Sequence, residues 1–202
     1  MTASVRSAAR ARILEQSFLL FLAHGFDATS MSQIVRATGM SKGAVYHHFA
    51  SKDELFEAAI DRYFIDLVGS DGSVGQEAQG FEEAVRSAAA TMTEGLSEVV
   101  SLGANLAAYY RFLFYAIERH RSEVQAVLAT RLTFLSRAAE RDVQQGILPG
   151  GLDPDMLAKL AITTIEGAAL LAAVEGPDRP DDLINEAVDR FLALVRVRVA
   201  ER

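Results

Sequence analysis

GMSKGAVYHHFASKDEL, residues 39–55, is the stretch of this chain that reads least like ordinary core or surface. It sets Lys42, Tyr46, His47, His48 and Lys52 among serines and small residues within a few helical turns, in a chain whose net charge is −7. Gly39 stands where a helix must stop, because glycine accepts the left-handed conformation of a helix end. Ser41 is placed to cap a very short helix over 42–48, and Ser51-x-x-Glu54 reads as a capping box opening the next. At about 100° per residue, Val45 and Phe49 fall together toward a core, leaving Gly43, Ala44, Tyr46 and His47 pointing away. Upstream, Ser30-x-x-Gln33 is a second capping box and begins a helix over 31–38. Two short helices joined through Gly39-Met40-Ser41 form a helix-turn-helix, whose second helix lies in the major groove of DNA.

The charge distribution agrees with that reading. Residues 1–52 carry six Lys/Arg against Glu15 and Asp27, a net of +4, while the remainder carries a net of −11. A basic end on an acidic body is the asymmetry expected where one end meets a polyanion. The small residues of the outward face let the backbone approach base edges, and Tyr46, His47, His48 and Lys52 can donate to phosphate oxygens. Lys52 adds its charge to the amides that start the fourth helix, a natural phosphate seat. The candidate DNA-binding residues are therefore Ser30, Ser32, Ser41, Lys42, Gly43, Ala44, Tyr46, His47, His48 and Lys52. His47 and His48 are adjacent and point apart, so they lack metal-ligand spacing, and no metal is expected.

Helical spacing runs through the rest of the chain and no segment sustains strand alternation, which predicts an all-α fold. A first helix near 5–24 precedes the two short ones, and a fourth starts near 52. GSDGSVGQEAQG, residues 69–80, reads as a loop, and five longer helices follow near 81–99, 102–119, 121–145, 155–175 and 181–200. LPGGLDP and EGPDRPDD separate the last three, with Pro154 placed to open a helix and Pro177 and Pro180 after one has ended. Half of the 202 residues are apolar, ample for a core, and there is no cysteine. No apolar run follows the arginines of MTASVRSAARAR, and no stretch approaches a spanning helix without polar interruption, so a soluble, cytoplasmic protein without a membrane partner is expected.

GFDATSMSQIVRATGMSKGAVYHHFASKDEL closely resembles the DNA-binding domain of the TetR family of bacterial transcriptional regulators. Gly25, Phe26, Thr29, Ser30, Ile34, Gly39, Ser41, Gly43, Val45, Tyr46, His48, Phe49, Ser51, Lys52 and Leu55 carry the resemblance, and RILEQSFLLFLAHGF extends it to about residues 10–60. Ala44 departs from the family's usual threonine, removing a hydroxyl while leaving a methyl that can touch thymine. The resemblance implies a nine-helix architecture: a helix-turn-helix domain over 1–52, a fourth helix linking the domains, and an effector-binding and dimerisation domain over 53–202. It further implies a homodimeric repressor, released from a palindromic operator by a small, largely apolar effector, with no cofactor and no catalytic residues.

Within the body, LGANLAAYYRFLFYAIERH is apolar around most of its circumference and is expected at the centre of a bundle, with Asn105, Tyr109, Tyr110 and Tyr115 as interior polar tips. The family's effector cavity is then expected among Tyr109, Phe112, Tyr115, Phe134, Arg137, Thr163 and Glu166. The last two helices are too apolar for one inward stripe each. Leu160, Thr164, Gly167, Ala168 and Leu171 on one, with Ile184, Val188, Phe191, Leu192 and Val195 on the other, form the expected dimer interface. The rival reading is a small helical enzyme using Glu166, Tyr115 or Arg137, although no nucleophile and base arrangement, metal spacing or phosphate loop is present. A helical adaptor, a third reading, leaves the basic capped motif unexplained.

Overall fold

The capping signals place the first helices. Ser30 accepts from the Gln33 amide while the Gln33 side chain accepts from the Ser30 amide at 2.7 Å, closing a reciprocal box at the start of a helix over Met31–Thr38. Ser51 accepts from the Glu54 amide, but the Glu54 carboxylate reaches one residue further back, to the Ala50 amide at 2.6 Å. In the computed structural model, which describes residues 3–65, 80–176 and 180–200, the chain is all-α. The described helices are α1 (Ala3–His24), α2 (Met31–Thr38), α3 (Lys42–His48), α4 (Lys52–Ile60), α5 (Phe81–Ser101), α6 (Leu106–Arg119), α7 (Arg121–Gln144), α8 (Pro154–Glu175) and α9 (Pro180–Ala200). A π turn, Asp61–Ile65, continues α4. The expected loop over 69–80, except Gly80, and the break at Pro177 lie outside the described residues.

One continuous core runs through the described residues, and its head and body portions meet along α1, α4 and α6. In the head, α1 packs on α2 and α4, burying Ile13, Phe18, Phe21, Ile34, Val45, Phe49 and Leu55. In the body, α8 packs against α7 and α9, α5 packs against α7 and α9, and α6 lies between α1 and α8. Asp142 of α7 is buried, and its Oδ2 accepts from the Phe81 amide at 2.9 Å, satisfying an orphan donor at the start of α5. A Cβ at Gly80 would stand 3.2 Å from both oxygens of that carboxylate, so a larger residue there requires the Asp142 side chain to shift.

Three expectations are corrected. Asn105 is not an interior tip: it is the N-cap of α6, its side chain accepting from the Ala107 amide at 2.7 Å, and the helix begins at Leu106. Nor is α6 enclosed all round, because Phe114 is 60% exposed while Tyr109, Tyr110, Phe112 and Ala116 are buried. Finally, α8 is long and apolar enough to cross a membrane by length and composition, with a window of mean hydropathy 1.7, although Lys159 and Glu166 interrupt it. Some 44% of that window is buried inside the chain, as for a core helix with one open face.

The Asp142 cap makes a direct test. Asp142→Ala strands a buried backbone donor and should cost about 1–3 kcal/mol. Urea unfolding should show a lower midpoint with an unchanged slope; an unchanged midpoint would mean that the α5 start is satisfied without this carboxylate.

Candidate nucleic-acid interface and internal cavity

Gly39, at φ 65°, turns the chain between α2 and α3, and its amide donates to the Arg36 carbonyl. Ser41 accepts from the Ala44 amide at 3.2 Å and so starts α3. Val45 is fully buried while Tyr46 is 41% exposed, as the helical projection requires. Ser30, Ser32, Ser41, Lys42, Gly43 and His47 are also exposed, and Ala44 and His48 are half-buried. The Lys42 ammonium lies 5.6 Å from the Tyr46 ring centre, and a side chain added at Gly43 would meet nothing within 4 Å. Together these residues form an open, small-to-aromatic face on a basic head.

Lys52 also makes contacts within its own chain. Its ammonium donates to the Phe26 carbonyl at 2.7 Å and sits 4.2 Å above the Phe26 ring. It pins the α1–α2 connection to the start of α4. The His47 and His48 rings lie 5.4 Å apart, and no group of three or more metal-ligating side chains occurs among the described residues.

A cavity of 290 Å³ opens in the body, walled mainly by apolar side chains of α5, α6, α7 and α8 and by Tyr63 of the π turn. Of the seven residues expected to line it, Tyr109 and Glu166 do. The other five are placed elsewhere. Phe112 packs with Phe18, Phe21 and Phe56, and Tyr115 packs on Phe26 and donates to Asp27. Phe134 packs against the core, Arg137 is exposed, and the exposed Thr163 hydroxyl donates to the Lys159 and Leu160 carbonyls. The residues that sequence reasoning missed include Tyr63, Leu113, Val127, Arg131 and Ile162. Only their helical register could have marked them, and register alone does not distinguish a cavity wall from packed core.

Two charged side chains enter that wall. Arg131 donates to the Glu166 carboxylate at 3.1 Å, with the arginine side chain only 14% exposed and the glutamate 36%. Burial raises the Glu166 carboxyl above its ordinary value, and the attraction of Arg131 offsets only part of that. Burial also raises the hydroxyls of Tyr109 and Tyr110, and pushes Tyr63 up to about 12. All three tyrosines are thus neutral hydrogen-bonding groups at physiological pH.

The dimer residues expected on the last helix are turned inward. Ile184, Val188 and Leu192 are buried in the chain's own core, and Phe191 packs on Phe81. The hydrophobic stripe on α9 is consumed by α5 and α8, which explains its strength without a partner. On α8, Ala168 is likewise buried, but Leu160 is 46% and Leu171 53% exposed, Gly167 is exposed and Thr164 half-buried.

A capped two-helix reader on a basic head, carried by a helical body with its own cavity, defines a helix-turn-helix DNA-binding transcriptional regulator. Residues 13–59 match the model for bacterial regulatory proteins of the tetR family. The regulator YfiR of Bacillus subtilis (strain 168) is 30% identical over 146 residues, spanning 72% of this chain and 68% of that protein. The repressor ComR of Escherichia coli (strain K12) is 42% identical over 50 residues, 25% of this chain and only 24% of ComR's length. Among solved structures, SmeT in its triclosan complex matches with a TM-score of 0.65 and 25% identity, covering 93% of this chain and 91% of that one. The chain belongs to the TetR family of bacterial regulators.

The buried carboxyl leads to a pH prediction. Because the folded-state value of Glu166 lies above the ordinary 4.5, the folded chain holds this proton more tightly than the unfolded chain. Its contribution is therefore most favourable at low pH and declines as pH rises through the folded value. Wild-type stability measured against Glu166→Gln should fall from pH 4.5 toward neutrality. A difference that stays flat across that range would place the carboxyl in an effectively aqueous setting.

Proposed function

We propose that this protein is a cytoplasmic repressor that binds a palindromic operator as a homodimer and is released by a small, largely apolar effector seated in the body cavity. The observation that carries the reading is Tyr63. It lines the cavity and at the same time stacks on Phe18 of α1, with 3.8 Å between ring centres, so one side chain belongs to both the ligand wall and the core of the head. An effector that displaces Tyr63 moves a support of the reader helices. The division into a DNA-binding head over 1–52 and an effector and dimerisation body over 53–202, with α4 linking them, follows the same logic. SmeT, a protein of this fold bound to triclosan, and the relatives described as repressors support both the ligand and the direction of regulation.

On this reading Lys42, Gly43, Ala44, Tyr46, His47 and His48 face the major groove, and Ser30, Ser32 and Ser41 lie at the backbone. The Lys52 ammonium, half-buried and bonded to the Phe26 carbonyl, keeps a further N–H for a phosphate oxygen. DNA flanking the protein's own gene should be shifted in a gel. In the log K against log salt plot, Lys42→Ala should flatten the slope by about one unit if the ammonium meets a phosphate. An unchanged slope and unchanged sequence preference would remove Lys42 from the interface. A hundredfold loss of operator affinity on effector binding requires about 2.7 kcal/mol of coupling, and a ligand that binds without changing operator affinity would overturn the release mechanism.

A second copy covers the open apolar face of α8. Met156, Leu160, Leu170, Leu171 and Val174 are 52%, 46%, 45%, 53% and 77% exposed, and Leu194 of α9 is 72% exposed. Two reader helices about 34–36 Å apart then match successive major grooves. A side chain at Gly167 meets nothing within 4 Å inside the single chain, so Gly167→Arg should leave the protomer folded. If a copy packs there, the buried charge should abolish dimerisation and weaken operator binding together. A variant that still sediments as a dimer at micromolar concentration would move the interface off this helix.

A further inference from the structure

We infer that the first half of α7, residues 121–131, is a hinged flap that opens and closes the body cavity, latched shut by the Arg131–Glu166 pair. The inference rests on the effector reading above for what the flap admits. The flap itself follows from the two surroundings of one helix. From Leu135 onward α7 is a core helix, with Leu135, Ala138, Ala139 and Asp142 buried. From Arg121 to Phe134 it has no buried residue, and the partly buried apolar side chains of that stretch that pack against the core are Leu132 and Phe134. Before them Val124, Val127, Leu128 and Arg131 recur at helical spacing, and all four line the cavity. The inward stripe of this half thus faces a void, where a side chain forfeits the contacts that atoms on the other side would give. The other walls differ. Ala89 and Leu96 on α5, Tyr109 and Phe112 on α6, and Ala161 and Ile165 on α8 are buried within the same turns that line the cavity. Of these four helices, α7 is the one whose wall can move without opening the core.

The local chemistry suits a part that moves. Ser122, Val124, Val127 and Thr130 are weaker helix formers than alanine or leucine, and α7 starts without a side-chain cap. Thr130 and Thr133 donate back to the Ala126 and Ala129 carbonyls at 3.0 and 2.8 Å, a bond that bends helices, and so mark the pivot ahead of Leu135. At the near end the His120 ring lies 6.1 Å from the Phe56 ring of α4, centre to centre, and the buried His120 Nε2 has no hydrogen-bond partner among the described residues. The flap therefore ends against the helix that links body to head. The ion pair that ties residues 121–131 to another helix is Arg131 to Glu166, at 3.1 Å. Leu128, which lines the cavity yet is 42% exposed, marks the mouth that the flap closes.

Hydrogen exchange read by mass spectrometry on the full chain tests this without a ligand. In the wild type the amides of 125–131 should exchange roughly a hundredfold faster than those of 135–143 in the same helix. Arg131→Met, which keeps an apolar stem and removes the charge, should speed the first set about tenfold and leave the second set and α8 unchanged. The chain has no cysteine, so Ile162→Cys places a single thiol on the α8 wall of the cavity, at a position 6% exposed, where a reagent reaches it through the open flap. Its reaction with N-ethylmaleimide should also speed about tenfold when Arg131→Met is added. The inference is overturned if both halves of the wild-type helix exchange at one rate, if Arg131→Met loosens both halves alike or neither, or if the thiol reacts at a rate that ignores the latch. Should Arg131→Met fail to fold, the wild-type contrast still decides, and Glu166→Leu removes the latch from the other side. None of these measurements uses an effector or DNA. Their failure removes the flap and leaves the effector reading, whereas a ligand that binds without changing operator affinity removes that reading and leaves the flap.

Discussion

Among the described residues, the head and the body meet along a seam of aromatic rings. Phe56 of α4 stands at its middle, with ring centres 4.8 Å from Phe26, 5.0 Å from Phe112, 5.4 Å from Tyr115 and 5.7 Å from Phe21. Phe18 joins Phe112 edge-on and Tyr63 face-on. Fully buried phenylalanines contribute about 1.5–3 kcal/mol each through area alone, and paired rings add about 0.5–1.5 kcal/mol through their geometry. Close-packed rings do not slide freely past one another, so a displacement at one end of the seam is carried along it.

Polar contacts fix the orientation that the rings leave open. Arg111 of α6 donates to the Leu22 carbonyl in α1, Tyr115 to Asp27, and Arg119 to Asp53 at 2.6 Å, while the Arg119 guanidinium also lies 5.0 Å from the Phe26 ring centre. Arg62, next to Tyr63, pairs with Glu98 on α5 at 2.7 Å. The Arg62 and Arg119 pairs are largely exposed and each adds little stability. Their effect is directional: charged groups at the rim of the seam fix how its two sides face each other. Lys52 belongs to the same set, which is why a residue that looks like a DNA contact in the sequence is held in the structure by its own chain.

The head was legible in the sequence because its signals are local. Ser30, Ser41, Ser51 and Gly39 act within four residues of themselves, so caps and turn could be read without knowing what packs where. The body was legible only as a rhythm of helices. A stripe such as Ile184, Val188 and Leu192 shows that a face is covered, but not whether the cover is the same chain or another, and here it is α5 and α8. The sequence carries no signal that α6 turns Phe112 and Tyr115 toward the head, where both pack on Phe56. Tyr63 was invisible for a further reason: DRYFI carries no mark of a π turn, whose altered register sets which side of the helix Tyr63 occupies. Glu166 could be found because a lone carboxylate amid TTIEGAALL demands a partner. Arg131, the partner, sits in a helix with many other polar residues and gave no such sign.

The helix that resolves most of these ambiguities is α8, because it serves three surroundings at once. Leu157, Ala161, Ile165, Ala169 and Ala172 are buried in the body core, Ile162 and Glu166 line the cavity, and Leu160, Leu171 and Val174 face outward. Three apolar faces leave almost no room for a polar one, and this accounts for a hydropathy that by composition alone would suit a membrane. It also limits how the cavity can respond. The cavity wall and the outward stripe are separated by the width of a single helix, about 10–12 Å with side chains, so α8 cannot shift toward a ligand without carrying its outer face along. On the proposed reading, filling the cavity acts through Tyr63 on the head and through α8 on the face offered to a second copy, and the two reader helices respond to both.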